Sequence, residues 1–164
     1  MRTVVSLVVC LVIVVMVPVT GCRSDAVPIS TAAEADLSNP DAVITNALTT
    51  MFTWDPTKDA SPDVAYQRAA AYMSSDLAGQ GGQSAPGPGS QWKQWAADGA
   101  AVTAKVFFLG DETPPNSDTL MHRVVVVAQT VATSDNRLID QIRHTAWVTA
   151  TKTNNEWRVT SIQF

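Results

Sequence analysis

The chain has 164 residues, of which 46% are hydrophobic and 16% charged, with two cysteines and a formal net charge of −4. That length fits a single domain, and its acid excess argues against a protein that neutralises nucleic-acid phosphates. Two cysteines are too few for a disulfide framework or a cysteine zinc site.

The averages hide a split. Residues 1–21 hold 15 hydrophobic residues and one charge, Arg2. Without them the chain carries 10 Lys+Arg against 15 Asp+Glu, a net of −5. A leading charge followed by an uncharged Val/Leu-rich run over residues 4–19 is the plan of a secretory signal peptide. Sixteen residues fall short of the about 20 that a membrane span needs, and Pro18 interrupts the end of the run. An uncleaved membrane anchor is therefore the weaker alternative. The run ends at Val19-Thr20-Gly21-Cys22. This resembles a bacterial lipobox, with an aliphatic residue three before the cysteine and small residues between. The resemblance implies cleavage before Cys22 and diacylglyceryl modification of its thiol, which would hold the protein to the extracytoplasmic face of the cell membrane. Two acyl chains anchor stably where one does not. Cys10 leaves with the leader, so the mature domain keeps no free thiol and cysteine catalysis is excluded. Residues 22–38 read as the lipidated cysteine and a polar tether, with a short helix near Ala32 as the alternative. Residues 39–164 form the domain.

Asn39-Pro40-Asp41 is a helix start: Asn caps, Pro fits the first turn, and Asp complements the dipole. Val43, Ile44, Ala47, Leu48, Met51 and Phe52 then make one stripe, and the helix should stop near Trp54. Ser61-Pro62-Asp63 repeats the signal, predicting a second helix to about Leu77 with Tyr72 on its apolar side. Residues 79–90 carry five Gly and two Pro and read as a long flexible loop. A short helix over residues 91–98 presents Trp92 and Trp95, with Gly99 as its C-cap.

After Gly99 the period becomes two. Strands are predicted over residues 101–109, 120–133, 139–152 and 157–164, joined by a Pro-containing loop, the turn Ser134-Asp135-Asn136-Arg137, and the hairpin signal Asn154-Asn155. Helices followed by an antiparallel meander make an α+β class, with the helices packed on a four-stranded sheet. In the third strand, His144, Ala146 and Ala150 share one face, and the small alanines suit close packing on helices. Trp147 shares the other face with Arg143 and the threonines. In the first strand, Phe107 alternates away from Val106. The second strand is apolar on both sides. An apolar strip in a polar surround on the outer face is what a partner surface looks like, and Phe107, Val125, Val127 and Trp147 are its expected members.

Helices, a long loop and a curved sheet ending in a tryptophan-bearing strand resemble the nuclear-transport-factor-like, or cystatin-like cone, superfamily, which includes the SnoaL-like proteins. The resemblance rests on Trp92-Lys93-Gln94-Trp95 before the first strand, the Val-rich second strand, and Glu156-Trp157-Arg158-Val159 in the last. The anchored members it is similar to are accessory proteins of mammalian-cell-entry transport systems and periplasmic domains of type IV secretion or conjugation scaffolds. Membership implies assembly with an envelope partner, or a homodimer through the sheet face, without catalysis. The superfamily also hosts isomerases, dehydratases and cyclases that place an acid or base inside the cone. Here the candidates for such a pocket are His144 and Tyr72, with His122, Tyr66, Asp98 and Asp140 behind them. This gives a second reading, a small hydrophobic-ligand binder or cone-type enzyme using His144. A third, weaker reading is a glycan-binding surface lipoprotein using exposed Trp rings.

Other chemistry finds no motif. G-x-S-x-G, H-E-x-x-H, the P-loop and G-x-G-x-x-G are absent from the sequence. Asp55, Asp59 and Asp63 lack the Gly and closing Glu of a calcium loop. Neither a metal nor a cofactor is expected.

Overall fold

The computed structural model describes residues 35–110 and 114–164. The expected leader, Cys22 and the tether up to residue 34 lie outside the described residues, as do residues 111–113.

Helix α1 spans Pro40–Phe52. Its start follows the predicted cap: Asn39 is extended, and its side-chain oxygen accepts from the Asp41 and Ala42 amides at 2.9 and 3.2 Å. The whole predicted stripe, Val43, Ile44, Ala47, Leu48, Met51 and Phe52, is buried. Each large apolar side chain so removed from water contributes about 1.5–3 kcal/mol. The helix ends because the next residues leave it for the sheet. Trp54 exchanges two 2.9 Å backbone hydrogen bonds with Val102, and its indole N–H donates to the Met51 carbonyl at 2.8 Å. One of the carbonyls stranded at the helix end is thereby satisfied.

The second helix is shorter than predicted. It breaks into α2 (Asp63–Ala69), a 3-10 turn (Ala70–Tyr72) and α3 (Ser75–Gly79). The cause is tertiary. Ser74 donates its amide to the Val159 carbonyl at 2.8 Å, and Met73 forms a parallel bridge with Val159. These bonds pull residues 73–74 into extended backbone against the last strand. Ser74 then restarts the helix by accepting from the Leu77 amide at 3.3 Å. The buried tyrosine is accordingly Tyr66, whereas Tyr72 is half-buried. Helix α4 is Gln91–Ala97, followed by Gly99 at φ +62°, the left-handed cap its position predicted.

Strands β1 (Ala100–Leu109), β2 (Leu120–Thr133), β3 (Leu138–Thr153) and β4 (Glu156–Gln163) lie in the order β1-β2-β3-β4. All neighbours are antiparallel. The architecture is therefore α+β, an open four-stranded meander with helices on one face. Asn154 and Asn155 both have positive φ, 52° and 69°, as a tight two-residue turn between right-twisted strands demands. Bulges interrupt the register at Val131/Ala132 and at Thr149/Ala150, where the sheet bends.

The register separates the faces. Towards the helices point Val102 and Ala104 of β1, Val125, Val127 and Val131 of β2, Ala146, Val148 and Ala150 of β3, and Trp157 and Val159 of β4, all buried in one core cluster. Ala146 and Ala150 are fully buried, as their size suggested. Arg123 reaches from β2 to Asp41 at 2.8 Å, tying the sheet to the start of α1. Val125 and Val127 require a correction. Both were expected on the outer face, and both are fully buried beneath the helices. The outward valines are Val124 and Val126, opposite Trp147 and Thr145. A strand with valine at both parities does not reveal its own facing. The partner strands set it, through Val126↔Thr145 and Val127↔His144.

Candidate functional site

Three places on the domain could carry function, and the first is the helix side of the sheet around His144. Strand parity puts His144 there, as predicted. Its ring lies 5.7 Å from that of Phe52 and 6.4 Å from that of Phe164, while Phe52 and Phe164 meet edge-on at 5.5 Å. Burial in this apolar setting pushes the imidazole pKa below its usual value. Phenyl rings flank the histidine, and His144 lines none of the hollows described below. Tyr72 sits in the 3-10 turn, packed against the core. Tyr66 is the tyrosine held in place. Its hydroxyl donates to the Leu77 carbonyl at 2.6 Å, and burial raises its pKa. His122 points outward and half-buried, with Nδ1 3.2 Å from the Thr149 hydroxyl. Asp98 receives the Gln94 amide at the end of α4, at 3.1 Å. Gln129, two residues along β2 from Val127, is the one buried polar side chain of the described core. It donates to the Phe52 carbonyl at 2.8 Å and leaves its own oxygen unpaired.

The second place is the outer face. Phe107 is 54% exposed and Trp147 is 52% exposed, with Leu109 and Leu138 also open. Between β1 and β3 runs a shallow groove of about 500 Å³, lined by Lys105, Phe107, Val126, Ala128, Thr130 and Arg143. Beside Trp147 a smaller hollow of about 210 Å³ runs past His122 and Val124 towards Gln163. Among the described residues, the outward positions of β1, β2 and β3 hold no carboxylate. Within a domain of 9 Lys+Arg against 12 Asp+Glu, a net of −3, this part of the face is apolar with a positive margin.

The third place was not legible in the sequence. Residues 79–90, predicted to be a flexible loop, fold back as a wall. A 3-10 turn over Gly81–Ser84 leads through extended Ala85 into residues 86–88, which have no regular secondary structure. Gly82 lies so close to α2 that a Cβ there would sit 2.9 Å from Asp63 Oδ1. Between this wall and the end of α1 opens a cleft of about 250 Å³, floored by Phe52, Trp54 and Tyr66 and flanked by Trp92. Trp54 meets Trp92 edge-on at 6.1 Å and stacks with Trp95 at 6.4 Å. The available signal was Pro86-Gly87-Pro88-Gly89, in which proline fixes φ at two positions, with Trp92 shortly beyond it. Nearby, Asp59 is gripped by Arg68 at 2.8 Å, which lowers its pKa. Lys58 and Thr57 hold Asp55 down to about 2.

No family of known proteins matches this chain, and neither does a curated protein or a solved structure. Among the described residues no helix is long and apolar enough to cross a membrane, and no group of three His, Cys, Asp or Glu is placed to hold a metal ion.

Proposed function

We propose that the protein is a lipid-anchored, extracytoplasmic assembly module with a cystatin-like cone domain. Cys22 carries the anchor, and the outer sheet face docks one protein partner of an envelope transport or secretion complex. One observation carries this reading: two large aromatic rings, Phe107 and Trp147, stand more than half exposed on a sheet face flanked by Lys105 and Arg143. The partner it fits presents an apolar strip edged with carboxylates. A second copy of the chain fits less well. Two-fold packing through the middle of this face would set Lys105 and Arg143 against their own copies, and such like-charge contacts are unfavourable. The ring packing around His144 supports a structural role for that histidine over a catalytic one.

The test is photo-crosslinking in cells with a reactive residue at position 107 or 147, and at exposed Gln67 on α2 as the control. The expected result is one heterologous protein adduct from the sheet positions and none from Gln67. That adduct is lost in Lys105→Glu/Arg143→Glu and restored by reversing carboxylates on the partner. Adducts with a second copy only, or the same adduct from Gln67, would overturn the docking. The anchor is tested separately: Cys22→Ala should release the protein from the membrane fraction, and full retention would overturn lipidation.

A further inference from the structure

We propose that the cleft between the proline–glycine wall and the Trp54–Trp92 pair binds a small, free organic ammonium ion. At about 250 Å³ the cleft lies below the roughly 300–1,000 Å³ range of drug-sized pockets, so its ligand is small. Its lining selects charge in three ways. Aromatic rings come from Trp54, Trp92 and Tyr66, and the π system of such rings attracts a cation. Asp63 is the one charged side chain among the described lining residues, with no Lys, Arg or His beside it. Pro86 and Pro88 have no N–H, so at these positions the wall offers only carbonyl oxygens.

The polar handles of two of the rings are already in use. The Trp54 indole N–H donates to the Met51 carbonyl at 2.8 Å, and the Tyr66 hydroxyl to the Leu77 carbonyl at 2.6 Å. These side chains therefore offer a ligand no free donor. The close approach of Gly82 to Asp63 fixes the wall against the start of α2 and leaves the carboxylate at the rim. Acceptors and aromatic rings without cationic donors favour an ammonium group and disfavour a carboxylate or phosphate. This site is separate from the sheet face, and neither reading depends on the other.

Calorimetric titration of the full chain in non-ionic detergent tests it, with choline as the probe and 3,3-dimethylbutan-1-ol as its uncharged isostere. Choline should bind in the millimolar range, and the alcohol at least about fivefold more weakly. Asp63→Asn should weaken choline about three- to fivefold. Trp92→Leu should weaken it as well, while Trp147→Ala leaves it unchanged. Asp63 is exposed, so the Asn variant keeps the test open even if Trp92→Leu disturbs folding. Glycerophosphocholine should bind more weakly than choline because its phosphate would face Asp63; equal binding would overturn the assignment to a free ammonium ion in favour of a lipid headgroup. Absence of choline binding, equal binding of the alcohol, or an unchanged affinity in Asp63→Asn would overturn the site.

Discussion

Val126 and Val127 are chemically identical neighbours in β2 that point opposite ways, so truncating each to alanine measures the facing of the sheet. Val127 is fully buried between Val106 and His144, whereas Val126 looks outward between Phe107 and Thr145. Replacing Val127 by Ala removes two buried carbons, about 1.6 kcal/mol of transfer free energy at about 0.8 per carbon. The void left behind adds up to about 1 kcal/mol, at roughly 24 cal/mol per Å³ of cavity that fails to close. The sum is about 2–3 kcal/mol for Val127→Ala. Val126 is half-buried at the floor of an open groove, and Val126→Ala should cost about 1 kcal/mol or less. For a chain of this size 1 kcal/mol moves Tm by about 2–4 °C. Val127→Ala should then melt about 5–10 °C lower and Val126→Ala no more than about 3 °C lower. Urea titration followed by circular dichroism should show the same order in midpoint, with unchanged slope. Equal losses at the two positions, or the reverse order, would refute the assignment of inner and outer faces.

The remaining predictions concern pH and a turn. Burial lowers the His144 pKa below its unfolded value of about 6.5, so just below that pH the unfolded chain binds more protons than the folded one. The stability this group leaves intact above pH 6.5 is lost as pH falls from the unfolded value towards the folded one. Urea midpoints measured from pH 7.5 to 5 should fall, and His144→Leu should flatten that part of the profile; an unaltered slope would count against a half-buried histidine held neutral. At the β3–β4 turn Asn155 has φ +69°, so Asn155→Gly should leave Tm nearly unchanged. Asn155→Val should cost about 1–2 kcal/mol for a β-branched residue held in the left-handed region, and an unperturbed melt in Asn155→Val would show that the turn adopts another form.

Much of the fold was readable because its signals were local. Asn39-Pro40-Asp41 began a helix where the pattern said, β2 followed its predicted span, and Asn154-Asn155 made the hairpin. Two features were not readable, for a common reason. Nothing within residues 63–77 announces that Ser74 will bond to Val159, eighty-five positions away in the chain, yet that bond breaks the helix. Nothing within Val124–Val127 says which parity is inside, since the decision lies with Thr145 and His144 across the register. The sites divide in the same way. Phe107 and Trp147 were legible as outward aromatics because their own strands alternate cleanly. The Trp54–Trp92 cleft was not, because it joins the end of α1 to a wall some thirty residues later, and spacing carries no trace of that meeting.

The backbone pairings at the two outer strands carry one more consequence. An open sheet leaves a row of amides and carbonyls along each border, a template on which stray chains can add and polymerise. Here one border is occupied by Trp54, bonded both ways to Val102. The other is occupied by Ser74 at Val159 and by the Leu37 carbonyl, which accepts from the Trp157 amide at 2.8 Å. Beyond Ala104 the first border carries Lys105, a charge that discourages stacking. Strand addition is thereby blocked where the helices and the incoming chain already sit, which leaves the broad face of the sheet, rather than these stretches of its rim, as the open surface.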